Sequence, residues 1–90
     1  MYNVEITKQF EKDILLAVKQ KKDMEALAFV LNILENEQKI PKKYQNHKLK
    51  NVKPVIWDLH IQPDWLLLYT KDNENQTIKL VRIGSHAELF

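Results

Sequence analysis

The stretch WDLHIQPDWLLLY, residues 57–69, contains two strand patterns that are separated by a turn. In its first half, apolar and polar residues alternate as they do on a strand with one buried face. The apolar positions are Val55, Trp57, Leu59 and Ile61. The alternation predicts a strand over Val55–Ile61 that places Asp58 and His60 side by side on its polar face.

A tight turn is predicted directly after this strand. Pro63 fits position i+1 of a turn, and Asp64 is a residue that turns favour. The apolar run that follows predicts a second strand over Trp65–Thr70, and the polar residues 71–76 lead into a third over Thr77–Ile83. Consecutive strands with short connections form an antiparallel meander.

Residues 2–6 predict a short N-terminal strand, and two helices follow it. Thr7 is the expected N-cap of a helix over Lys8–Lys22, and Asp23 is the expected N-cap of the second helix. The apolar stripes are Phe10, Ile14, Ala17 and Val18 on the first helix, and Leu27, Val30, Leu31 and Leu34, widened by Met24, Phe29 and Ile33, on the second. The short connection predicts a tight antiparallel hairpin.

The order of these elements predicts an α+β fold in a single domain, residues 1–90. The N-terminal strand and the three-stranded meander form one sheet, with the two-helix hairpin on one face and the other face exposed. The polar segment between the second helix and the meander is expected to be a surface loop. Gly84 ends the last strand, and Ser85 is a candidate cap for the tail SHAELF.

Composition excludes several classes of protein. The chain has no cysteine, so it has neither disulfides nor thiolate sites, which fits a reducing compartment. It contains no signal-peptide pattern and no apolar run of the roughly 20 residues that span a bilayer. We therefore expect a cytoplasmic protein that does not contact a membrane.

The positive charge is concentrated in the middle of the chain. Between Lys39 and Trp57 there are six lysines and no acid, although the net charge is only +2. These lysines are Lys39, Lys42, Lys43, Lys48, Lys50 and Lys53. The block predicts a surface that binds a polyanion, and the alternative is a solvated lysine-rich loop.

Three histidines offer proton-transfer chemistry. His47 lies in the basic loop, His60 on the polar face of a strand, and His86 beyond the last strand. Metal-free cleavage of RNA needs a base for the 2′-hydroxyl, an acid for the 5′-oxygen and cations for the phosphate. Arg82, the only arginine, suits bidentate contact with a phosphate.

Each of these residues also has a structural interpretation. His47 fits a solvated surface residue, and His60 fits a satisfied pair with Asp58. Asp64 is equally suited to forming the turn, and His86 to capping the last turn of the chain. Zinc motifs with paired histidines or cysteines are absent, so no cofactor is expected.

Three segments, NHKLKN at 46–51, WDLHIQPDWLLLY at 57–69 and LVRIGSHAELF at 80–90, together resemble the YafQ branch of the RelE/ParE toxin superfamily. The resemblance implies a RelE-like fold with the active site on the sheet face opposite the helices. It also implies a ribosome-dependent endoribonuclease that cleaves mRNA without a metal, leaving a cyclic phosphate and a 5′-hydroxyl. The functional positions that it implies are His47, His60, Asp64, Arg82, His86 and Phe90.

Further implications of the resemblance concern roles and partners. His86 would be the general acid or base and Arg82 the phosphate clamp, while His47, His60 and Asp64 would orient groups or share protons. The partners would be a cognate antitoxin, mRNA and ribosomal RNA, with operator DNA bound only through the antitoxin complex. Trp57 departs from the family pattern, which has arginine there. The alternatives are a non-catalytic ParE-like gyrase inhibitor and a degenerate toxin that only binds antitoxin and nucleic acid.

Overall fold

The computed structural model describes all 90 residues, and the elements follow the predicted order. The strands are β1 (Asn3–Ile6), β2 (His47–Lys48), β3 (Trp57–Gln62), β4 (Trp65–Asp72) and β5 (Thr77–Gly84). The helices are α1 (Lys8–Lys19), α2 (Met24–Glu35) and α3 (His86–Leu89), with a 3₁₀ turn at Lys42–Tyr44. No helix combines the length and the apolar character needed to cross a membrane.

The five strands form one mixed sheet in the order β1-β5-β4-β3-β2. The predicted antiparallel meander of β3, β4 and β5 is confirmed. The N-terminal strand β1 pairs in parallel with β5, and β2 pairs antiparallel with β3. The predicted surface loop lies on the surface at His47 and Lys48, but these residues form a strand that was not predicted, because two residues are too few to show an alternation.

Both predicted helix caps are present. The hydroxyl of Thr7 accepts a hydrogen bond from the Phe10 amide, and the carboxylate of Asp23 accepts one from the Ala26 amide. The first helix ends earlier than predicted, because Lys21 adopts a left-handed φ of 59°. The Lys22 amide then donates to the carbonyl of Ala17 at 3.0 Å, which is a Schellman-type end. Glycine usually occupies that position, so the sequence did not mark it.

A single hydrophobic core lies between the helices and one face of the sheet. Its 16 buried residues come from both helices, from β3, β4 and β5, and from Tyr2 and Tyr44 outside them. Each fully buried large apolar side chain contributes about 1.5–3 kcal/mol, so this packing holds the helices on the sheet. Val18 and Phe29 are 55% and 58% exposed, and their assignment to the buried stripes is wrong.

The second face of the sheet is covered at its centre, contrary to the prediction. Leu66 and Leu68 project from it but are only 0% and 7% exposed, and Asp58 is 4% exposed. Central strand β4 is therefore buried on both faces, which explains its continuous apolar run. Residues 54–56 line a cavity with residues of β4 and β5 beside this face.

Candidate active site

The strand register brings distant residues together on the second face of the sheet. Directly opposed residues on neighbouring strands share a face, so they form rows that cross the sheet. One row contains His47, Asp58, Leu68 and Arg82, and the neighbouring row contains His60, Leu66 and Gly84. The histidines of β2 and β3 therefore lie on the same part of this face.

A buried carboxylate lies between these two histidines. Oδ2 of Asp58 is 3.8 Å from Nε2 of His47, and its Oδ1 is 3.7 Å from Nε2 of His60. The two ring centroids are 6.2 Å apart. The Asp58 side chain is only 6% exposed, whereas that of His47 is 51% exposed. One buried negative charge thus faces two imidazoles, one of which is open to solvent.

The loop before β2 fixes the proton on His47. Nδ1 of His47 lies 2.7 Å from the carbonyl oxygen of Gln45, and because a carbonyl only accepts, Nδ1 donates. The next residue, Asn46, accepts a hydrogen bond from the Tyr69 hydroxyl at 2.6 Å. Burial raises the pKa of Tyr69 to about 12, so the phenol remains a donor at neutral pH. The sheet core therefore anchors the loop that carries His47.

The third histidine pairs with the aspartate of the β3–β4 turn. Oδ1 of Asp64 accepts from the His86 amide at 2.9 Å and lies 2.7 Å from His86 Nδ1. These two hydrogen bonds from His86, the amide first and the ring second, lower the pKa of the Asp64 carboxyl. An ionised carboxylate only accepts, so Nδ1 of His86 carries a proton. The His86 side chain remains 55% exposed.

The position of His86 depends on the end of β5. Ser85 caps α3, with its hydroxyl accepting from the Glu88 amide and the Glu88 carboxylate accepting from the Ser85 amide. A Cβ on Gly84 would lie 3.0 Å from Oε1 of Glu88 and 3.3 Å from Cδ2 of Leu89. The only glycine therefore lets α3 pack closely on the strand end and holds His86 beside the turn.

His60 connects the two sides of the cluster. Its ring centroid is 5.6 Å from that of His86, in an edge-to-face arrangement. The structure thus brings four of the predicted residues together: His47, His60, Asp64 and His86. The side chains of Arg82 and Phe90 take part in none of these ring contacts or hydrogen bonds.

Arg82 is bound to a residue of α1. Its Nε and Nη2 donate to Oδ2 and Oδ1 of Asp13 at 3.1 and 3.0 Å, and the Ile83 amide also donates to Asp13. Burial raises the pKa of Asp13, but hydrogen bonds from Arg82, Gln9 and Ile83 outweigh it and leave that pKa below its usual value. The hydrogen bonds to Asp13 likewise raise the pKa of Arg82. The guanidinium therefore joins α1 to β5, and the Arg82 side chain as a whole is 33% exposed.

Phe90 and the six lysines of the basic block lie on the surface of the protein. Phe90 is 67% exposed, and its amide donates to the carbonyl of His86. All six lysines of the basic block are exposed. Lys43 lies over the ring of Tyr44 and Lys48 over the ring of Trp57, with Nζ 5.2 and 5.4 Å from the ring centroids. Trp57 itself packs against the core and stacks on Tyr69.

Two residues of the site were not among the sequence predictions. Strand alternation places Asp58 beside His60, but the pattern alone gives no reason to assign Asp58 to the site. The charge of Lys22 contributes to the lowered pKa of both Asp64 and Glu88, which places it beside the cluster. No sequence signal links Lys22 to these residues, because the proximity arises from packing of the α1–α2 connection.

A cavity of about 500 Å³ opens beside His60. Its lining includes Gln62 and Pro63 from the β3–β4 connection and Lys43 and Tyr44 from the 3₁₀ turn. It combines apolar surface with amide and ammonium groups and is large enough for a nucleotide. Across the whole chain, no three or more His, Cys, Asp or Glu side chains are arranged to hold a metal ion.

Comparison with known proteins gives a consistent family match. Residues 2–90 match the family described as the bacterial toxin of type II toxin–antitoxin system, YafQ. The mRNA interferase toxin YafQ of Escherichia coli (strain B / BL21-DE3) is 35% identical over 89 residues, covering 98% of this chain and 95% of that protein.

Solved structures agree with this match. A metal-bound toxin from Helicobacter pylori has a TM-score of 0.94 and 39% identity, with 100% of both chains covered. A chain of the E. coli DinJ–YafQ complex has a TM-score of 0.91 and 34% identity, covering 100% of this chain and 99% of that one. The likeness therefore extends over the whole fold.

Proposed function

Because this chain belongs to the YafQ family of bacterial toxins of type II toxin–antitoxin systems, as its sequence indicated, we propose that it is a ribosome-dependent endoribonuclease that cleaves mRNA. The observation that supports this most directly is the cluster of His47, His60 and His86 with Asp64. Three imidazoles on one surface provide both a proton acceptor and a proton donor near neutral pH.

The hydrogen bonds of the cluster suggest which group accepts and which donates. His47 donates from Nδ1 to a carbonyl, which leaves Nε2 free to take the proton of a ribose 2′-hydroxyl. The 2′-oxygen then attacks the adjacent phosphorus, and the bond from phosphorus to the 5′-oxygen breaks. His86, whose charged form is stabilised by Asp64, donates a proton to that leaving oxygen. The products are a 2′,3′-cyclic phosphate and a 5′-hydroxyl, and no metal takes part.

The remaining predicted residues would bind the RNA. Asp13 accepts from Nε and from one N–H of Nη2 of Arg82, so both N–H groups of Nη1 are left to contact a phosphate. Arg82 lies two strands from Asp58 in the same row, about 10 Å away, which is within reach of a neighbouring phosphate. The exposed ring of Phe90 offers a surface on which a base can stack.

The six exposed lysines would attach the protein to ribosomal RNA through its phosphates. They are Lys39, Lys42, Lys43, Lys48, Lys50 and Lys53. A cognate antitoxin would neutralise the toxin in the cytoplasm, and operator DNA would be bound only through the antitoxin complex. The E. coli relative is found with the partner DinJ, which supports a partner of that kind here.

Mapping of RNA ends on ribosomes tests the proposal. Purified protein is added to ribosomes that carry a defined mRNA, and primer extension locates new 5′ ends. We expect cleavage within codons, lost in His86→Ala and retained in the control Lys79→Ala, which lies toward the other end of β5. Intact messages accompanied by damaged DNA in cells would instead indicate a gyrase inhibitor. Binding of antitoxin without either activity would indicate a degenerate toxin.

A further inference from the structure

The chain has two buried charged residues, and their surroundings differ sharply. Asp13 accepts hydrogen bonds from Gln9, Arg82 and the Ile83 amide. Asp58 accepts none, and its Oδ1 is a buried polar atom without a hydrogen-bond partner. A buried carboxylate without partners opposes folding, so stability does not explain the presence of Asp58.

The groups that face Asp58 identify a different role. His47 of β2 and His60 of β3 lie at 3.8 and 3.7 Å, beyond direct hydrogen bonds but well within charge interaction. Across β4 the facing residue is the apolar Leu68, and beyond it Arg82 is paired with Asp13. The positive charge nearest to Asp58 is therefore an imidazole that has gained a proton.

We infer that Asp58 is a positioning residue that orients His47 and His60 and stabilises the imidazolium formed when either accepts the 2′-hydroxyl proton. The inference rests on the proposed function. During the reaction the proton moves from the ribose oxygen to Nε2, beside the carboxylate, and it returns to solvent after the product leaves. Asp58 itself touches no substrate and transfers no proton.

The test compares two isosteric variants, Asp58→Asn and Asp13→Asn. In single-turnover cleavage on ribosomes, Asp58→Asn should lower the rate roughly 10- to 100-fold while substrate affinity stays unchanged. The acidic limb of its pH–rate profile should move to lower pH, because the imidazoles lose the charge that favours protonation. Its melting temperature should stay equal or rise, whereas that of Asp13→Asn should fall. Asp58→Glu, which retains the charge, should recover part of the rate.

A readout without RNA separates this inference from the proposed function. Long-range proton–nitrogen NMR of the imidazoles should show His47 and His60 losing their protons at lower pH in Asp58→Asn, with His86 unchanged. Identical imidazole titrations in both proteins would overturn the inference even if wild-type protein cleaves RNA. If the melting temperature of Asp58→Asn falls as much as that of Asp13→Asn, the inference is also overturned, because the Asp58 carboxylate would then stabilise the fold. If wild-type protein cleaves nothing, the proposed function fails, and the NMR comparison still decides whether Asp58 acts on the imidazoles.

Discussion

Asp64 and His86 lie 22 residues apart in the chain, and one oxygen of the aspartate contacts both the ring and the backbone amide of the histidine. The hydrogen bond from the His86 backbone amide fixes where α3 begins relative to the β3–β4 turn. The hydrogen bond from Nδ1 of the ring fixes the tautomer of neutral His86 and leaves Nε2 free. A turn residue therefore sets both the position and the protonation of the candidate general acid.

Replacing Asp64 by asparagine tests this dual role. An amide can still accept from the His86 backbone, but it has no charge to stabilise the imidazolium, so we expect cleavage to slow by about 10- to 100-fold with little change in folding. Asp72→Asn is the control, since Asp72 is also a turn aspartate with a pKa lowered by local hydrogen bonds. Equal rates for the two variants would remove Asp64 from the mechanism.

The contribution of the Asp64–His86 contact to stability should depend on pH in a definite direction. The pKa of Asp64 is lower in the folded chain than the ordinary 3.8, so the contribution of the contact to stability is complete above that value. It is lost as the pH falls through the lower, folded value. The NMR signal of the Asp64 carboxyl carbon should therefore show protonation of that carboxyl only below the ordinary value of 3.8. Protonation of Asp64 at 3.8 or above would show that His86 does not stabilise the charged carboxylate.

The bidentate pair between Asp13 and Arg82 should contribute to stability. Asp13→Asn leaves a guanidinium with a weaker partner, and we expect a loss of about 2 kcal/mol in the free energy of unfolding, reduced from the value for fully buried pairs because Arg82 is partly exposed. The folded pKa of Asp13 is lowered, so this stability is present above pH 3.8 and disappears as the pH falls through the folded value. Urea unfolding should therefore show a larger difference in stability between wild type and Asp13→Asn at pH 7 than at pH 3.

Activity separates this structural role of Arg82 from phosphate binding. If Nη1 of Arg82 binds the scissile phosphate, Asp13→Asn should remain active below its melting temperature, while Arg82→Gln should lose activity beyond its loss of stability. If activity falls in proportion to stability in both Asp13→Asn and Arg82→Gln, Arg82 contributes to folding alone.

The sequence predicted local features better than contacts between distant segments. The β3–β4–β5 meander could be predicted because alternation and turn residues are local, and Asp58 and His60 had to share a strand face. The pairing of Asp13 with Arg82 could not be predicted, because it depends on how α1 crosses the edge of β5. The contact of Asp64 with His86 also depends on packing, in this case of α3, although the family resemblance named both residues.

Gly84 should be sensitive to the smallest substitution. In Gly84→Ala the new methyl group lies 3.0 Å from a Glu88 oxygen that already accepts from the Ser85 amide, so the cap must distort or α3 must move. A displacement of a fraction of an ångström at His86 should reduce cleavage about 10-fold or more, since misplacement by 1 Å can cost about 100-fold. The matched variant Ala87→Gly adds no atoms to α3, so it should keep the position of α3 at the end of β5. Wild-type activity in Gly84→Ala would show that the helix position tolerates movement.

The lysines of the basic block should make the affinity for ribosomes depend on salt concentration. If Lys42, Lys43 and Lys48 contact ribosomal RNA phosphates, each lysine replaced by glutamine should make the plot of log affinity against log salt shallower by about 0.7–0.9. The triple variant should therefore lose about 2 units of slope in ribosome-binding titrations, while Lys79→Gln loses none. An unchanged slope in the triple variant would leave these lysines as a solvated surface. Attachment to the ribosome would then have to involve other cations, such as Lys22, whose charge contributes to the lowered pKa of Asp64.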